Sequence, residues 1–324
     1  MPTTLTGFRF APCFDVAVAS RIGVAGSATR AENQDNFVVI DFEGHACLLR
    51  DQQPQHLALP HWPPGHGRLA VLDGMGGHGH GREAAEAVAL ALLEVPPCLT
   101  LEELCGRLDA VHAALQARFA AGAAGAARPG TTLTLLELPP LGAPLLYHVG
   151  DSRLYRLARD GATPLTIDHV PATAAALAGR IHQAGWRAQV YGRHTPQIAQ
   201  AFILGNAFAD PARLSDPLFA LTALNLPPWL AHLPDRRQLP LAADAAYLLA
   251  TDGFWSCAEP DQLTRQWPGL LAGDPDAAQL VERLFAALDA APPPGLQPDN
   301  LTALVIRPLP RHADETALPV DAEN

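Results

Sequence analysis

The sequence predicts an α+β protein built around antiparallel β-sheet. Residues 36–42 are rich in β-branched and aromatic side chains and end at a Glu43-Gly44 turn, which is typical of a strand. Two further strand-like runs, residues 131–138 and 145–157, are separated only by a short turn with two prolines and a glycine. Short turns join antiparallel neighbours, because a parallel pair needs a crossover of a dozen or more residues. The pattern therefore favours antiparallel sheets over repeated strand-helix-strand units.

The remaining elements follow from apolar periodicity and from local signals. Short apolar runs predict strands, and alanine- and leucine-rich amphipathic segments predict helices. The predicted strands are residues 68–72, 246–251 and 301–307, and the predicted helices are residues 82–93, 100–121, 171–184 and 276–290. Thr100 and Glu103 have the spacing of a capping box at the start of the second helix. Residues 50–67 are predicted to form a polar loop, residues 210–244 show no clear element, and the tail 311–324 is expected to be disordered.

The composition excludes several classes of function. The 324 residues carry 33 acidic and 22 basic side chains, a formal net charge of −11, so no nucleic-acid partner is expected. Every basic residue is arginine, which excludes lysine-dependent sites such as those of Walker-type ATPases and protein kinases. Five cysteines without a C-x-x-C pair predict neither a disulfide framework nor a zinc site. Neither a signal-peptide pattern nor a long apolar run is present, so we expect a cytoplasmic protein without a membrane partner.

Four aspartates lie where strand-like runs begin or end. Asp73, Asp151 and Asp252 end or interrupt such runs, and Asp299 comes directly before one. An isolated Asp-Gly is usually a turn, but the segment after Asp73 contains far more glycine than a turn requires, which lets backbone carbonyls approach an ion closely. Clustered aspartates without cysteine are typical of Mg²⁺ or Mn²⁺ sites, and two such ions about 3.5–4 Å apart can catalyse displacement at phosphorus. The pattern indicates phosphate-ester hydrolysis.

Such a reaction also needs a cation that holds the phosphate, and Arg30 lies just upstream of Asn33-Gln34-Asp35. With the aspartates, this segment resembles the metal-dependent serine/threonine protein phosphatases of type 2C, the PPM family, and specifically their bacterial branch. The resemblance rests on six motifs in family order: Arg30-Ala-Glu-Asn-Gln-Asp35, Leu72-Asp-Gly-Met-Gly-Gly-His78, Gly130-Thr-Thr132, Gly150-Asp-Ser-Arg153, Ala250-Thr-Asp-Gly253 and Asp299-Asn-Leu-Thr302. Each motif alone is weak, but six in order across residues 21–307 are highly specific.

The resemblance implies a single domain over residues 1–310 with a four-layer αββα sandwich, in which helices flank two central antiparallel sheets. It implies two core Mn²⁺ or Mg²⁺ ions and a third, weaker one at one edge of the sandwich. By position, Asp73 would bridge the two core ions, Asp252 and Asp299 would bind the first of them, and the Gly74 carbonyl would bind the second. Asp151 and Asp252 would bind the third ion. Asp35 would hold metal-bound waters, and Arg30 would hold the substrate phosphate. A water that bridges both ions would attack phosphorus directly.

Three features depart from the family pattern. Gln34 stands where many members have a metal-binding glutamate, and it is a candidate ligand here. Met75 replaces a histidine that is proposed as the general acid in eukaryotic members. Methionine cannot donate a proton, so either water or the nearby His78 would protonate the leaving group. Residues 169–244, which carry the mobile flap in the family, match the pattern poorly, and we expect substrate choice to reside there.

Two functions of different classes remain open. The resemblance implies an enzyme that removes phosphate from phosphoserine and phosphothreonine in proteins, opposing a serine/threonine kinase. The alternative is a PPM-like regulatory or interaction module with little catalytic activity, although every expected aspartate is present. An NTP-binding protein that uses the glycine-rich segment as a phosphate loop is excluded by the missing lysine.

Overall fold

Strands and helices follow one another irregularly along the chain. The structure, a computed structural model, describes residues 2–25, 28–76, 80–120, 128–210, 214 and 217–310. His78 and the tail 311–324 lie outside the described residues. The strands are β1 (Phe14–Arg21), β2 (Val24–Ala25), β3 (Ala28–Thr29), β4 (Asp35–Ile40), β5 (His45–Arg50), β6 (Gln53–Ala58), β7 (Gly67–Met75), β8 (Gly130–Thr131), β9 (Leu133–Leu138), β10 (Leu145–Val149), β11 (Arg153–Ala158), β12 (Gly161–Pro164), β13 (Gln200–Ala201), β14 (Gly205–Asn206), β15 (Arg236–Gln238), β16 (Ala246–Ala250) and β17 (Leu301–Pro308). The helices are α1 (His80–Glu94), α2 (Leu101–Ala120), α3 (Pro171–Leu177), α4 (Gln183–Val190), α5 (Pro260–Thr264) and α6 (Ala277–Ala290), with two short 3₁₀ turns at Asp252–Phe254 and Trp267–Leu271.

Two large sheets form the centre of the protein, and all of their strand pairs are antiparallel. One sheet has the order β1-β17-β16-β11-β12. The other has the order β15-β10-β9-β7-β4-β5-β6, and β8 pairs with the end of β7. The α+β class and the antiparallel pairing predicted from the sequence are therefore confirmed.

Side chains that alternate along each strand build three apolar layers. In β4, Phe37 and Val39 face the layer between the two sheets, whereas Val38 and Ile40 face the layer beneath α1 and α2. The third layer lies between the outer face of the β1-β17-β16-β11 sheet and α6. Each fully buried aliphatic or aromatic side chain stabilises such a layer by about 1.5–3 kcal/mol. The resulting order of helix, sheet, sheet and helix is the predicted αββα sandwich.

The prediction of a single helix over residues 171–184 is wrong. Gly179 takes a left-handed φ of +67°, and the backbone N–H of Arg180 donates to the Ala175 carbonyl at 2.8 Å. A glycine in this conformation ends a helix by satisfying its last carbonyls. The chain therefore forms α3 and a separate α4.

The prediction of a loop over residues 50–67 is also wrong. Residues Gln53–Ala58 form β6, which pairs along its whole length with β5. β6 is the last strand of its sheet, and a strand in that position tolerates both a proline and exposed polar side chains. Its composition therefore does not distinguish it from a loop.

The middle region of the chain, residues 169–244, has its own small apolar core. Trp186 of α4 packs there with Leu221, Leu226 and Leu230. Between positions 207 and 235, the residues that the structure describes lie outside helices and strands, in agreement with the absence of a clear sequence pattern. Among the residues that the structure describes, no helix is long and apolar enough to cross a membrane.

Candidate metal centre

Five aspartates from both sheets meet at one edge of the sandwich. Asp35 begins β4 and lies opposite Asp73 in the antiparallel register with β7. Asp252 lies two residues after the end of β16, and Asp299 lies just before β17, the neighbouring antiparallel strand. Asp151 lies in the turn that carries the chain from β10 in one sheet to β11 in the other. Because adjacent antiparallel strands begin and end at the same edge, the topology brings these side chains together.

The carboxylate of Asp35 is anchored through only one of its oxygens. Its Oδ2 accepts hydrogen bonds from the hydroxyls of Thr251 and Thr302, each at 2.8 Å. Its Oδ1 is buried and has no hydrogen-bond partner among the described residues. An unpaired buried carboxylate oxygen is costly, so this atom is suited to a water or an ion that is bound at the site.

The carboxylates raise one another's pKa values. Burial raises the pKa of Asp73 well above its usual value, and the charges of Asp35, Asp252, Asp299 and Asp151 add to the effect in that order. The pKa of Asp35 is also raised well above its usual value: burial is the largest cause and outweighs the two threonine hydrogen bonds, which lower the pKa, while the charges of Asp299 and Asp252 add smaller increases. This pattern arises when carboxylates share a site without enough positive charge to balance them.

His194, from the segment after α4, contacts the cluster. Its Nε2 lies 3.1 Å from Oδ2 of Asp252. Burial by itself opposes ionisation of Asp252, but the hydrogen bond and charge of His194, with a smaller contribution from Asp73, lower the pKa of Asp252 below its usual value. For His194, burial lowers the pKa, and contact with Asp252 more than compensates and raises it. The middle region thus places an imidazole beside the Asp252 carboxylate, and each group favours the charged form of the other.

Arg30 lies at the same edge, where it contacts a candidate metal residue. Its guanidinium is 2.7 Å from Oδ1 of Asp299, and its Nε donates to the carbonyl of Pro298 at 2.9 Å. Half of the Arg30 side chain is exposed. Asn300 ties the neighbouring backbone together, because its Oδ1 accepts the N–H of Gln34 at 2.9 Å and its Nδ2 donates to the carbonyl of Glu32. The segment before β4 is therefore fixed against β17.

Two backbone segments pack closely against Gly74. A Cβ at Gly74 would lie 2.3 Å from the Gly81 carbonyl oxygen and 2.5 Å from the Gln34 carbonyl oxygen. The Gln34 side chain is held by Glu32, to whose carboxylate its Nε2 donates at 3.0 Å. Met75 ends β7 opposite Gly130, as the strand order requires.

Gly74→Ala is expected to lower the free energy of unfolding by about 1–3 kcal/mol, because the backbone must move to relieve overpacking. Chemical denaturation in the presence of a chelator measures this change. Gly106→Ala is the matched control: it lies in α2 with no atom within 4 Å of the added Cβ, and we expect a neutral or stabilising effect. Equal stability of Gly74→Ala and the unchanged protein would contradict the close approach.

The donor set fits a hydrated divalent cation. Carboxylates and a backbone carbonyl are hard oxygen ligands, which suit Mg²⁺ and Mn²⁺. The buried Asp35 oxygen without a partner and the mutual elevation of the carboxyl pKa values both favour added positive charge. Within the described part of the chain, no three Asp, Glu, His or Cys side chains form a ready-made ligand set. Mg²⁺ typically keeps several waters and uses only one or two carboxylates per ion, so the arrangement suits ions whose shells are completed by water.

The sequence does not indicate every residue of the centre. Thr251 and Thr302 fall within the quoted motifs, but nothing in the sequence assigns them to Asp35. His194 lies in the middle region and belongs to no local motif. Arg153 and Asp168 form a buried ion pair at 2.7 Å beside the Asp151 turn, which only the fold reveals.

Comparisons with solved structures identify the same architecture in known phosphatases. No family model and no curated protein matches the sequence. The PPM Ser-Thr phosphatase MsPP from Mycobacterium smegmatis, solved with cacodylate, is 22% identical with a TM-score of 0.57, covering 91% of this chain and 98% of its own. The serine/threonine phosphatase PstP/Ppp of Mycobacterium tuberculosis is 24% identical with a TM-score of 0.58, covering 92% and 100%. A serine/threonine phosphatase of S. agalactiae is 16% identical with a TM-score of 0.61, covering 91% and 99%.

One of these proteins also bears on metals. The catalytic domain of PstP has been solved in complex with two manganese ions. Taken with the two antiparallel sheets, the flanking helices and the shared coverage over nearly the whole chain, these likenesses decide the architecture. The chain has the fold of the PPM serine/threonine phosphatases.

Proposed function

We propose that this chain is a metal-dependent phosphoprotein phosphatase that hydrolyses phosphoserine and phosphothreonine in proteins. The observation that carries the proposal is the convergence of five aspartates from both sheets at one edge of a fold shared with serine/threonine phosphatases. Its substrates would be cytoplasmic proteins phosphorylated by a serine/threonine kinase.

Each aspartate has a distinct role in this proposal. Asp73 would be shared by two Mn²⁺ or Mg²⁺ ions, the second of which also binds the Gly74 carbonyl, while Asp252 and Asp299 hold the first. Asp151 and Asp252 would hold a third, weaker ion. When bound, the ions activate a water for direct attack on phosphorus and neutralise the charge that develops there.

The chain's own residues orient the reactants. The unpartnered Oδ1 of Asp35 accepts a hydrogen bond from a water, while the two threonine hydroxyls fix the carboxylate in place. Arg30 would hold the phosphate through its guanidinium, which is half exposed beside Asp299. A guanidinium suits this task because it donates two parallel hydrogen bonds to phosphate oxygens.

The test is hydrolysis of a phosphothreonine peptide by the purified chain across a Mn²⁺ titration, with Mg²⁺ in parallel and a chelator control. Turnover that requires metal and stops with chelator would support the proposal. Absence of turnover while Mn²⁺ demonstrably binds would contradict it and favour a regulatory or interaction module.

Arg30→Ala is expected to raise KM for the phosphopeptide by about 10-fold, because a charge-assisted contact to phosphate contributes about 1.5–3 kcal/mol. The Arg30 side chain is half exposed in its ion pair with Asp299 and is not itself a metal ligand, so Mn²⁺ affinity should change less than KM. Steady-state kinetics and calorimetric Mn²⁺ titration measure the two quantities separately. Arg118→Ala, an exposed arginine on α2, is the control. An unchanged KM in Arg30→Ala would remove Arg30 from the phosphate site.

A further inference from the structure

The turn that carries Asp151 has an unusual backbone conformation, and residues from other segments stabilise it. Gly150 takes a φ of +111°, and a Cβ there would lie 2.6 Å from the Thr132 side chain, so only glycine fits. On the far side of the turn, Arg153 donates to the carboxylate of Asp168 in a buried ion pair. The position of Asp151 therefore depends on what holds the Gly150 peptide.

His169 holds both polar backbone groups of Gly150. The backbone N–H of His169 donates to the Gly150 carbonyl at 2.8 Å. In return, the Gly150 N–H donates to ring Nδ1 of His169 at 3.3 Å, and the same nitrogen lies 3.0 Å from the side-chain nitrogen of Gln200. The His169 side chain is completely buried, and burial lowers its pKa well below the usual value. Because Nδ1 accepts, the hydrogen of the neutral ring is on Nε2.

Nε2 of His169 faces a buried carboxylate. It lies 3.4 Å from Oδ2 of Asp235, and both side chains are fully shielded from solvent. The same Asp235 oxygen accepts the N–H of Leu221 at 3.0 Å. Nε2 makes no hydrogen bond to the described residues, so Asp235 acts on the ring as a neighbouring acidic group, which favours the tautomer and orientation that turn the Nε2 hydrogen toward it.

The same histidine links the turn to the middle region. Its carbonyl accepts the N–H groups of Ala199 and Gln200 at 2.8 and 3.2 Å. Asp235 lies just before β15 and exchanges a further backbone hydrogen bond with Leu221. One buried side chain thus joins the β13 strand, the 221–235 segment and the Asp151 turn.

We propose that His169 and Asp235 are positioning residues for Asp151: Asp235 orients the His169 ring, and His169 holds the Gly150 peptide so that the Asp151 carboxylate faces Asp252. The consequence is that both residues set the affinity of the weakest cation site. The inference rests on the proposed function for the assignment of the weakest ion to Asp151, and its test measures metal affinity without substrate.

The variants separate the two contacts of the ring. His169→Phe removes both ring contacts, and we expect the weakest Mn²⁺ site to lose affinity by about 10-fold or more, the range found for residues that orient metal ligands. His169→Asn retains an acceptor close to the position of Nδ1 and loses the contact with Asp235, so its loss should be smaller. Asp235→Asn should give a loss of the same order as His169→Asn. Calorimetric Mn²⁺ titration, with electron paramagnetic resonance of bound Mn²⁺, measures these affinities.

Two controls distinguish positioning from folding. Leu226→Ala destabilises the apolar core of the middle region without touching the histidine, so it should lower the melting temperature and leave every Mn²⁺ affinity unchanged. In the background of Asp151→Asn, His169→Phe should cause no further loss of Mn²⁺ affinity.

The positioning role would be overturned if His169→Phe lowered only the melting temperature, as Leu226→Ala does. It would also be overturned if Asp151→Asn left the weakest Mn²⁺ site of the wild-type chain unchanged. If the variants shift Mn²⁺ affinity as expected but the wild-type chain hydrolyses no phosphopeptide, the positioning role stands and the proposed phosphatase activity fails.

Discussion

Asp73→Asn is expected to lower kcat toward a phosphothreonine peptide by at least about 10³-fold, equivalent to about 4 kcal/mol of transition-state stabilisation. The reason is geometric: Asp73 lies in β7 opposite Asp35, at the position where the charges of the four other aspartates of the centre all raise its pKa. An asparagine keeps the shape but provides neither the negative charge nor the second anionic oxygen that two shared cations require. Single-turnover and steady-state assays at saturating Mn²⁺ measure the effect.

The same substitution should stabilise the metal-free protein. Removing one of several mutually repelling buried carboxylates relieves a cost that folding otherwise bears, so the melting temperature of Asp73→Asn in chelator should rise. Loss of activity together with a gain in metal-free stability is a signature that misfolding cannot produce. Asp160→Asn, in an exposed turn, should change neither quantity. A kcat near wild type in Asp73→Asn would refute the assignment.

The sequence predicts those residues of the centre that lie next to a recognisable local pattern. Asp73, Asp252 and Asp299 each adjoin an apolar run, and the run predicts a strand whatever its partners are. Strand ends place their neighbours at a sheet edge, so local patterns were enough to bring the carboxylates to one location. The glycines after Asp73 carry the same kind of local information, since Gly74 has no space for a Cβ.

The parts that sequence misses depend on contacts between distant segments. His194 reaches Asp252 across 58 positions, and Asp235 reaches His169 across 66, as the numbering shows. Neither pair has a fixed spacing that a motif could record. The break between α3 and α4 is different, because Gly179 was a visible signal whose left-handed conformation outweighed the helix propensity of the surrounding alanines.

Without metal, the free energy of unfolding is expected to fall as the pH rises from about 4 to 8. Burial and neighbouring charges raise the folded-state pKa values of Asp35, Asp73 and Asp151 above the usual value of 3.8. In that window the folded protein binds more protons than the unfolded chain, so stability is present at low pH and is lost as each group ionises. Asp299, whose pKa is also raised, acts in the same sense. Asp252, whose pKa is lowered, and the buried His148 and His169, whose pKa values burial lowers, act in the opposite sense.

Asp235 contributes to the same loss of stability with rising pH, and its contribution can be measured separately in the absence of metal. Burial raises its pKa from 3.8 to about 7. A shift of about three units corresponds to about 4 kcal/mol of stability, present below pH 4 and lost as the pH passes through about 7. Asp235→Asn cannot ionise, so in chelator the variant should show a shallower decline of stability with pH than the unchanged protein.

Bound Mn²⁺ should remove the part of the pH-dependent loss of stability that arises from the aspartates of the centre. Cations bind the ionised carboxylates, so the stabilisation by Mn²⁺ should grow with pH and reach about 2.7 kcal/mol per site at 100 times the dissociation constant. Denaturant titrations at pH 5, 6.5 and 8, with chelator and with Mn²⁺, measure both slopes. A metal-free protein whose stability rises over this range would contradict the buried, mutually repelling carboxylates. A Mn²⁺ effect that is constant with pH would place the ions elsewhere, because only ionisable ligands make metal binding compete with protons.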